Sequence, residues 1–217
     1  MKKKDERDKL FFEREMLQLG AQYVAGADEV GRGPFAGPVV AAAVILPLDE
    51  KSLIEGIDDS KKVKEGERKR LAQLIRERAV AYCICEEDNR TIDRINILQA
   101  TKLCMKRAVE GLSVQPDVVL IDGNFKIDIA LPQQSIIKGD ALSYSIGAAS
   151  ILAKVYRDEL MEKYDKIYPG YGFAQHKGYG TKMHRDAIEE LGLCEIHRRT
   201  FIKKRSDGQG KARQSDT

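Results

Sequence analysis

One uninterrupted apolar segment limits most strongly what this chain can fold into. Residues 39–46 read VVAAAVIL, without a polar side chain, inside a strand that we predict over 38–46. The segment is far shorter than the roughly 20 residues that span a bilayer, and its valines and isoleucine favour a strand. A strand that lacks polar and apolar alternation is buried on both faces. The sequence therefore predicts a sheet with helices on both sides, which is the α/β class.

The order of the other predicted elements agrees with this class. Strands are predicted over 23–30, 38–46, 80–85, 117–121 and 135–137, and helices over 65–79, 91–112, 144–164 and 181–191. The first two strands are close in sequence and are expected to pair antiparallel. The later strands follow helical crossovers, so we expect them to be parallel. The result is a mixed sheet.

The two ends of the chain differ from its middle. Residues 5–19 have the apolar spacing of an amphipathic helix, which could dock on the main domain or bind a partner. Residues 204–217 are polar and basic without apolar periodicity, so a disordered tail is expected there. We therefore predict an N-terminal helical extension (1–20), one main domain (21–203) and the tail.

Charge and hydropathy bear on the partners and the cellular setting. The net charge of +3 does not by itself argue for a polyanionic partner, although residues 197–205 carry five Lys or Arg and no acid. No segment is apolar enough to cross a membrane, and the charged N-terminus has no signal-peptide core. We expect a cytoplasmic monomer that does not bind membranes.

Four carboxylates stand at the ends of predicted strands. Asp28 and Glu29 close the first strand, Asp122 ends the strand LeuIleAsp, and Asp140 follows the next strand in LysGlyAsp. Ligands of open α/β sheets bind beyond the strand ends, so these acids are expected to meet. Asp28 and Glu29 are neighbours and point to opposite faces of a regular strand. Both can serve one site only if the strand frays there.

A cluster of acids needs cations, because like charges at close range cannot all stay ionised. Oxygen ligands suit Mg²⁺ or Mn²⁺, and no His or Cys cluster stands beside the acids. Two such ions about 4 Å apart can promote hydrolysis of a phosphodiester. The carboxylates therefore predict a metal-dependent hydrolase. Asp158, on the long predicted helix, is interpreted as a surface charge.

Seven motifs then resemble one family in order and spacing. They are DEVGRGPFAGPVVAAAV (28–44), DSKK (59–62), NILQAT (96–101), LIDGN (120–124), KGD (138–140), AASILAKVYRD (148–158) and HKGY (176–179). Together they resemble ribonuclease HII, the bacterial type 2 ribonuclease H, over roughly residues 22–203. The resemblance implies a ribonuclease H-like fold, with a mixed five-stranded sheet flanked by helices and a helical C-terminal part. Residues 21–203 would be the catalytic domain.

The resemblance also implies an activity. The family cuts the RNA strand of RNA–DNA hybrids and cuts 5′ of ribonucleotides embedded in duplex DNA, which leaves 3′-hydroxyl and 5′-phosphate ends. Such cleavage serves primer removal and ribonucleotide excision repair. The nucleic acid is therefore the expected partner, and two Mg²⁺ or Mn²⁺ ions are the expected cofactors.

Carried over by position, the resemblance assigns roles to fourteen residues. Asp28, Glu29, Asp122 and Asp140 would be the catalytic metal ligands. Gly31, Arg32 and Gly33 would read the ribose 2′-hydroxyl, and Tyr179 would pack on the sugar at an RNA–DNA junction. The candidates for contacts with the substrate's phosphate backbone are Ser60, Lys61, Lys62, Lys177, Arg198 and Arg199.

Two other functions remain open from the residues alone. A different nuclease on the same fold would also use clustered acids, but would not need the glycines at 31 and 33 or Tyr179. A hybrid-binding module without catalysis would gain nothing from negative charge set against phosphate. Cleavage of a DNA duplex that carries one ribonucleotide would separate both from a ribonuclease H.

Overall fold

The computed structural model describes residues 8–58, 60 and 63–202. The strands are β1 (Val24–Val30), β2 (Val39–Ile45), β3 (Ala81–Glu87), β4 (Val118–Asp122) and β5 (Gln133–Ile136). The helices are α1 (Phe11–Gln18), α2 (Glu65–Arg78), α3 (Asn89–Ile95), α4 (Ile97–Glu110), α5 (Gly139–Leu142), α6 (Tyr144–Ile167), α7 (Phe173–His176) and α8 (Lys182–Leu191). The predicted tail, 204–217, and residues 1–7 of the predicted extension lie outside the described residues.

All five strands form one mixed sheet in the order β3-β2-β1-β4-β5, which confirms the predicted fold class. β1 is antiparallel to β2 and parallel to β4, and β5 is parallel to β4. The predicted direction of β3 was wrong, because β3 pairs antiparallel with β2. The segment between β2 and β3, which contains α2, begins and ends at the same end of the sheet. As a result, Val80 donates its amide to the carbonyl of Ile45, 2.9 Å away.

Both faces of β2 are covered, as its sequence predicts. Val40, Ala42 and Val44 pack in one core with α2 and α6, and the alternate residues of β2 pack in a second core with α4. Helix α6 lies very close to β1 at Gly26, where an added Cβ would stand 2.1 Å from the carbonyl carbon of Ser145. The glycine therefore lets the start of α6 rest on the central strand.

The helix predicted over 91–112 is two helices, α3 and α4, separated at Asn96. Asn96 has a φ of 67°, which ends α3. Its side-chain oxygen accepts hydrogen bonds from the amides of Leu98 and Gln99 and so begins α4. Continuous apolar spacing across the break hid it, since asparagine is compatible with a helix interior as well as with a cap.

The C-terminal part is helical, as the resemblance implies. A separate small core joins α7, α8 and the end of α6, and it contains the buried rings of His176, His184 and His197. A short bridge between Ala36 and His197 ties this part to the loop that follows β1. Among the described residues, no helix is long and apolar enough to cross a membrane.

The N-terminal helix docks on the domain through a buried carboxylate. Glu13 on α1 is fully buried, and its Oε1 accepts hydrogen bonds from the Ser143 hydroxyl at 2.6 Å and the Ser145 amide at 2.8 Å. These groups stand at the N-terminus of α6, where a negative charge is favourable. Burial raises the pKa of Glu13, and the two serine hydrogen bonds oppose that rise. The N-terminal helix thus docks on the main domain, whereas the sequence alone left open whether it docks or binds a partner.

We expect Glu13→Ala to lower the free energy of unfolding by about 1–3 kcal/mol, because a buried amide and a buried hydroxyl lose their acceptor. Urea denaturation measures the change. Glu15→Ala is the matched control, since Glu15 is exposed on the same helix. Equal losses in the two variants would contradict the docking role of Glu13.

Candidate active site

Three of the four predicted carboxylates meet at one end of the sheet. Asp28 and Glu29 lie on β1, and Asp122 is the last residue of the neighbouring parallel strand β4. One carboxylate oxygen from each lies within 4.8 Å of the others. The fraying that the sequence analysis requires is one-sided, since both residues stay paired with β2. Pairing of β1 with β4 ends at Ala27, so Asp28 and Glu29 follow the last paired residue on that side.

Burial makes this cluster electrostatically unfavourable. Asp28 is 5% exposed. Burial, followed by the charges of Glu29 and Asp122, raises the pKa of Asp28 well above its usual range. Burial also raises the pKa of Glu29, where attraction by Arg32 opposes repulsion by Asp122. The protein alone therefore does not balance the charge of this site.

Hydrogen bonds nevertheless hold two of the carboxylates in place. Asp28 accepts a hydrogen bond from the Glu29 amide at 2.7 Å. Asp122 accepts from the amides of Gly139 at 2.6 Å and Asp140 at 3.4 Å, so it caps the short helix α5. The orientations of these two acids are thus set by backbone amides of two segments, β1 and the start of α5.

Asp140, the fourth predicted ligand, lies beside the group but is not one of the three. It is buried on α5, and its amide donates to the Asp122 carboxylate at 3.4 Å. Its assignment as a metal ligand stays a prediction.

The three converging acids fit a divalent cation. All their ligand atoms are oxygens, which hard cations prefer. The Oε2 atom of Glu29 is buried without a hydrogen-bond partner among the described residues. A buried polar atom without a partner is costly, and a bound cation would remove that cost. Arg32 compensates only partly, because its Nη1 is 3.5 Å from the other Glu29 oxygen.

The glycine-containing loop beside the acids is held from behind by two buried guanidinium groups. Arg198 donates to the carbonyls of Gly31 at 2.6 Å, Arg32 at 3.0 Å and Gly37 at 2.9 Å. Arg157 donates to the carbonyls of 36, 38 and 177. Gly31 has a φ of 93°, and a Cβ there would lie 2.3 Å from the Arg157 Nε atom. The loop shape therefore requires this glycine.

The prediction that Arg198 contacts the substrate backbone is wrong. Its side chain is fully buried, and its guanidinium nitrogens are used on the three carbonyls of the loop. Burial lowers the pKa of both Arg198 and Arg157. Sequence reasoning missed Arg157 altogether. One signal was available in the sequence. Arg157 stands at a position of α6 where the helical spacing of the buried side chains predicts an apolar residue.

Tyr179 and the glycine loop share one surface. The Tyr179 side chain is 43% exposed, and a Cβ built on Gly33 would lie 3.6 Å from its ring. Arg32 and Gly33 are exposed, whereas Gly31 is buried. The loop and the tyrosine are thus close enough to contact one sugar, although their predicted contacts with substrate stay predictions.

The remaining candidates for phosphate contacts lie in different settings. Ser60 is buried, and its hydroxyl oxygen is 2.9 Å from that of Ser150. Lys177 pairs with Glu162 at 2.8 Å, and Arg199 is exposed. Lys61 and Lys62 lie outside the described residues. The contacts predicted for all five stay predictions.

Asp158 was wrongly interpreted as a surface charge. It is 8% exposed, and its carboxylate lies 2.6 Å from Lys154 and 3.8 Å from Arg68. Arg68 in turn donates to the carbonyls of Ser60 at 2.5 Å and Val63 at 2.9 Å. Asp158 therefore helps to anchor the loop that contains the DSKK motif.

Comparisons with known proteins match nearly the whole chain. The family model described as Ribonuclease HII matches residues 25–204. A ribonuclease HII from Ruminiclostridium cellulolyticum is 53% identical over 194 residues, which cover 89% of this chain and 75% of that protein. Ribonuclease HII 1 from Methylibium petroleiphilum is 56% identical over 186 residues, or 86% and 93% of the two chains. The crystal structure of ribonuclease H2 from Pyrococcus horikoshii has a TM-score of 0.70 at 26% identity, over 88% of this chain and all of that one (100%).

Substitution of two neighbouring arginines, Arg198 and Arg199, tests whether the buried guanidinium of Arg198 supports the glycine-containing loop. We expect Arg198→Met to lower the free energy of unfolding by at least about 2 kcal/mol, because three buried carbonyls lose a charged donor. Arg199→Met, at an exposed position, should change it by less than about 0.5 kcal/mol. Chemical denaturation of both variants gives the comparison. A stable Arg198→Met variant would contradict the structural role.

Proposed function

The chain belongs to the ribonuclease HII family, and from this premise we propose that it cuts 5′ of ribonucleotides embedded in duplex DNA and hydrolyses the RNA strand of RNA–DNA hybrids. Members of this family are endoribonucleases of the ribonuclease H type, and so is this chain. The observation that carries the finer proposal is the position of the three acids beside the loop of Gly31 to Gly33 and Tyr179. Cleavage would leave 3′-hydroxyl and 5′-phosphate ends, as primer removal and ribonucleotide excision repair require.

The metal requirement follows from the charge of the site. We propose that Asp28, Glu29, Asp122 and Asp140 hold Mg²⁺ or Mn²⁺, with two ions in the active complex. When bound, these ions activate water and stabilise the leaving oxygen of a phosphodiester. The partnerless oxygen of Glu29 and the clustering of three carboxylates support this assignment.

The protein's own part is to orient the acids and the ribose. The Glu29 amide directs the Asp28 carboxylate, and Asp122 is directed by the start of α5. The exposed face of the glycine loop would admit the 2′-hydroxyl, which is the group that distinguishes RNA from DNA. Arg32 and Tyr179 would contact the sugar and phosphate beside it. Recognition and cleavage would then take place next to each other.

The first test removes one charge from the cluster. Asp28→Asn should lower cleavage of a hybrid in Mg²⁺ by at least about a thousandfold, since cation binding and the orientation of the acids both depend on that carboxylate. Circular dichroism should show an unchanged fold. Asp128→Asn, at a side chain that is 99% exposed, is the control and should cut normally. Normal cleavage by Asp28→Asn would show that the site is assigned incorrectly.

The second test separates the proposal from the two rival functions. A DNA duplex with a single ribonucleotide should be cut on the 5′ side of that ribonucleotide in Mg²⁺ or Mn²⁺, and chelator should stop the cleavage. An all-DNA duplex of the same sequence should stay intact, because it lacks the 2′-hydroxyl. Equal cutting of both duplexes would favour a different nuclease. Binding without any cutting would favour a hybrid-binding module.

A further inference from the structure

A buried histidine cluster lies directly behind Tyr179, and the proposed chemistry does not use it. The chain has three histidines, and all of them, His176, His184 and His197, are buried in the C-terminal core. The rings of His176 and His184 stack with centroids 4.4 Å apart. The Nε2 atoms of His184 and His197 are 3.0 Å apart.

Hydrogen bonds assign the tautomer of each ring. His197 Nδ1 accepts from the Cys194 amide at 2.9 Å and lies 3.3 Å from the Cys194 carbonyl oxygen. The shorter contact puts the proton of neutral His197 on Nε2, which points at His184. His184 Nε2 therefore accepts, and its own proton is on Nδ1. That Nδ1 faces the Tyr179 carbonyl oxygen, which can only accept, at 3.0 Å. These hydrogen bonds thus orient the rings of His184 and His197.

The third ring holds the residue before Tyr179. The Gly178 amide donates to His176 Nδ1 at 3.1 Å, and His176 Nε2 donates to the Tyr171 carbonyl at 2.8 Å. The backbone on both sides of the Gly178–Tyr179 peptide is thus bonded to a histidine. Burial lowers the pKa of His184 to about 4, which keeps the ring neutral. A proton on its Nε2 would set two N–H donors against each other.

The same cluster continues to the glycine loop. His197 is followed directly by Arg198, whose guanidinium holds the carbonyls of Gly31 and Arg32. The Arg198 amide donates to the Phe35 carbonyl at 2.7 Å, and the Phe35 amide donates to the Gly178 carbonyl at 2.8 Å. Tyr179 and the loop therefore share one support, built from the cluster and this strip of backbone.

We propose that His184 is a positioning residue, which fixes Tyr179 against the Gly31 to Gly33 loop and thereby sets the preference for RNA–DNA junctions. This inference rests on the proposed function, because it concerns the residue expected to contact the sugar. His184 acts through the Tyr179 backbone and does not itself reach the surface, since it is fully buried. A role in stability alone would leave substrate preference unchanged.

The tautomers are testable without any substrate. Long-range ¹H–¹⁵N spectra of the full chain contain only three imidazoles, so the signals can be assigned by single substitutions. We expect the proton of His184 on Nδ1 and the protons of His176 and His197 on Nε2 at neutral pH. A His184 proton on Nε2 would overturn the proposal, because the bond to Tyr179 could then not form.

A double-mutant cycle tests the effect on substrate preference. The quantity measured is a ratio of two kcat/KM values. The first is for a DNA duplex with a single ribonucleotide, and the second is for a duplex of one RNA strand and one DNA strand. His184→Phe should lower this ratio by about tenfold, because small misplacements of contacting groups have large effects on rate. When His184→Phe is added to Tyr179→Ala, the ratio should stay at the value of Tyr179→Ala alone. Full additivity of the two changes would overturn the proposal.

Two variants serve as controls for that cycle. His184→Asn keeps an N–H near the position of Nδ1 and should retain most of the preference. Tyr171→Phe removes a hydrogen bond to the Gly192 carbonyl in the same core and should leave the ratio unchanged. Loss of preference in Tyr171→Phe as large as in His184→Phe would contradict a specific role. If the unchanged chain cuts neither substrate, the proposed function fails, whereas an additive cycle in an active enzyme overturns the positioning role alone.

Discussion

The central constraint on this structure is the clustering of three carboxylates, which carry like charges, at a buried end of the sheet. Three carboxylates from two adjacent parallel strands present oxygens within 4.8 Å of each other, and burial raises the pKa of Asp28 and Glu29. Such an arrangement is unfavourable in the protein alone and becomes favourable with divalent cations. The sheet supplies the rigidity that keeps the acids from separating, because β1 is paired on both sides up to Ala27.

The glycine loop and the backbone at Tyr179 are supported by a second set of buried polar groups. The guanidinium groups of Arg157 and Arg198 satisfy loop carbonyls in the interior, and the neutral histidines orient the backbone at Tyr179. Buried donors of this kind are favourable only when all their partners are present. The surface that faces the proposed substrate is thus shaped by side chains that do not touch it.

Much of this could be predicted from sequence, and the exceptions have two causes. The apolar run of β2 and the periodicity of α6 report local burial, so the five strands and the strand-end acids were found. The direction of β3 and the break at Asn96 depend on loop path and capping, which periodicity does not report. Arg198 and Asp158 look like surface charges in sequence, because burial of an ion depends on partners that are distant along the chain.

The most direct measurement is thermal unfolding of the unchanged chain and of Asp28→Asn, each in chelator and in Mn²⁺. In chelator the variant should unfold at the higher temperature, because one buried like charge has been removed. Mn²⁺ should raise the Tm of the unchanged chain much more than that of the variant, since only a bound ligand stabilises the folded state in this way. A variant that is less stable in chelator, with equal Mn²⁺ shifts in both proteins, would contradict the account.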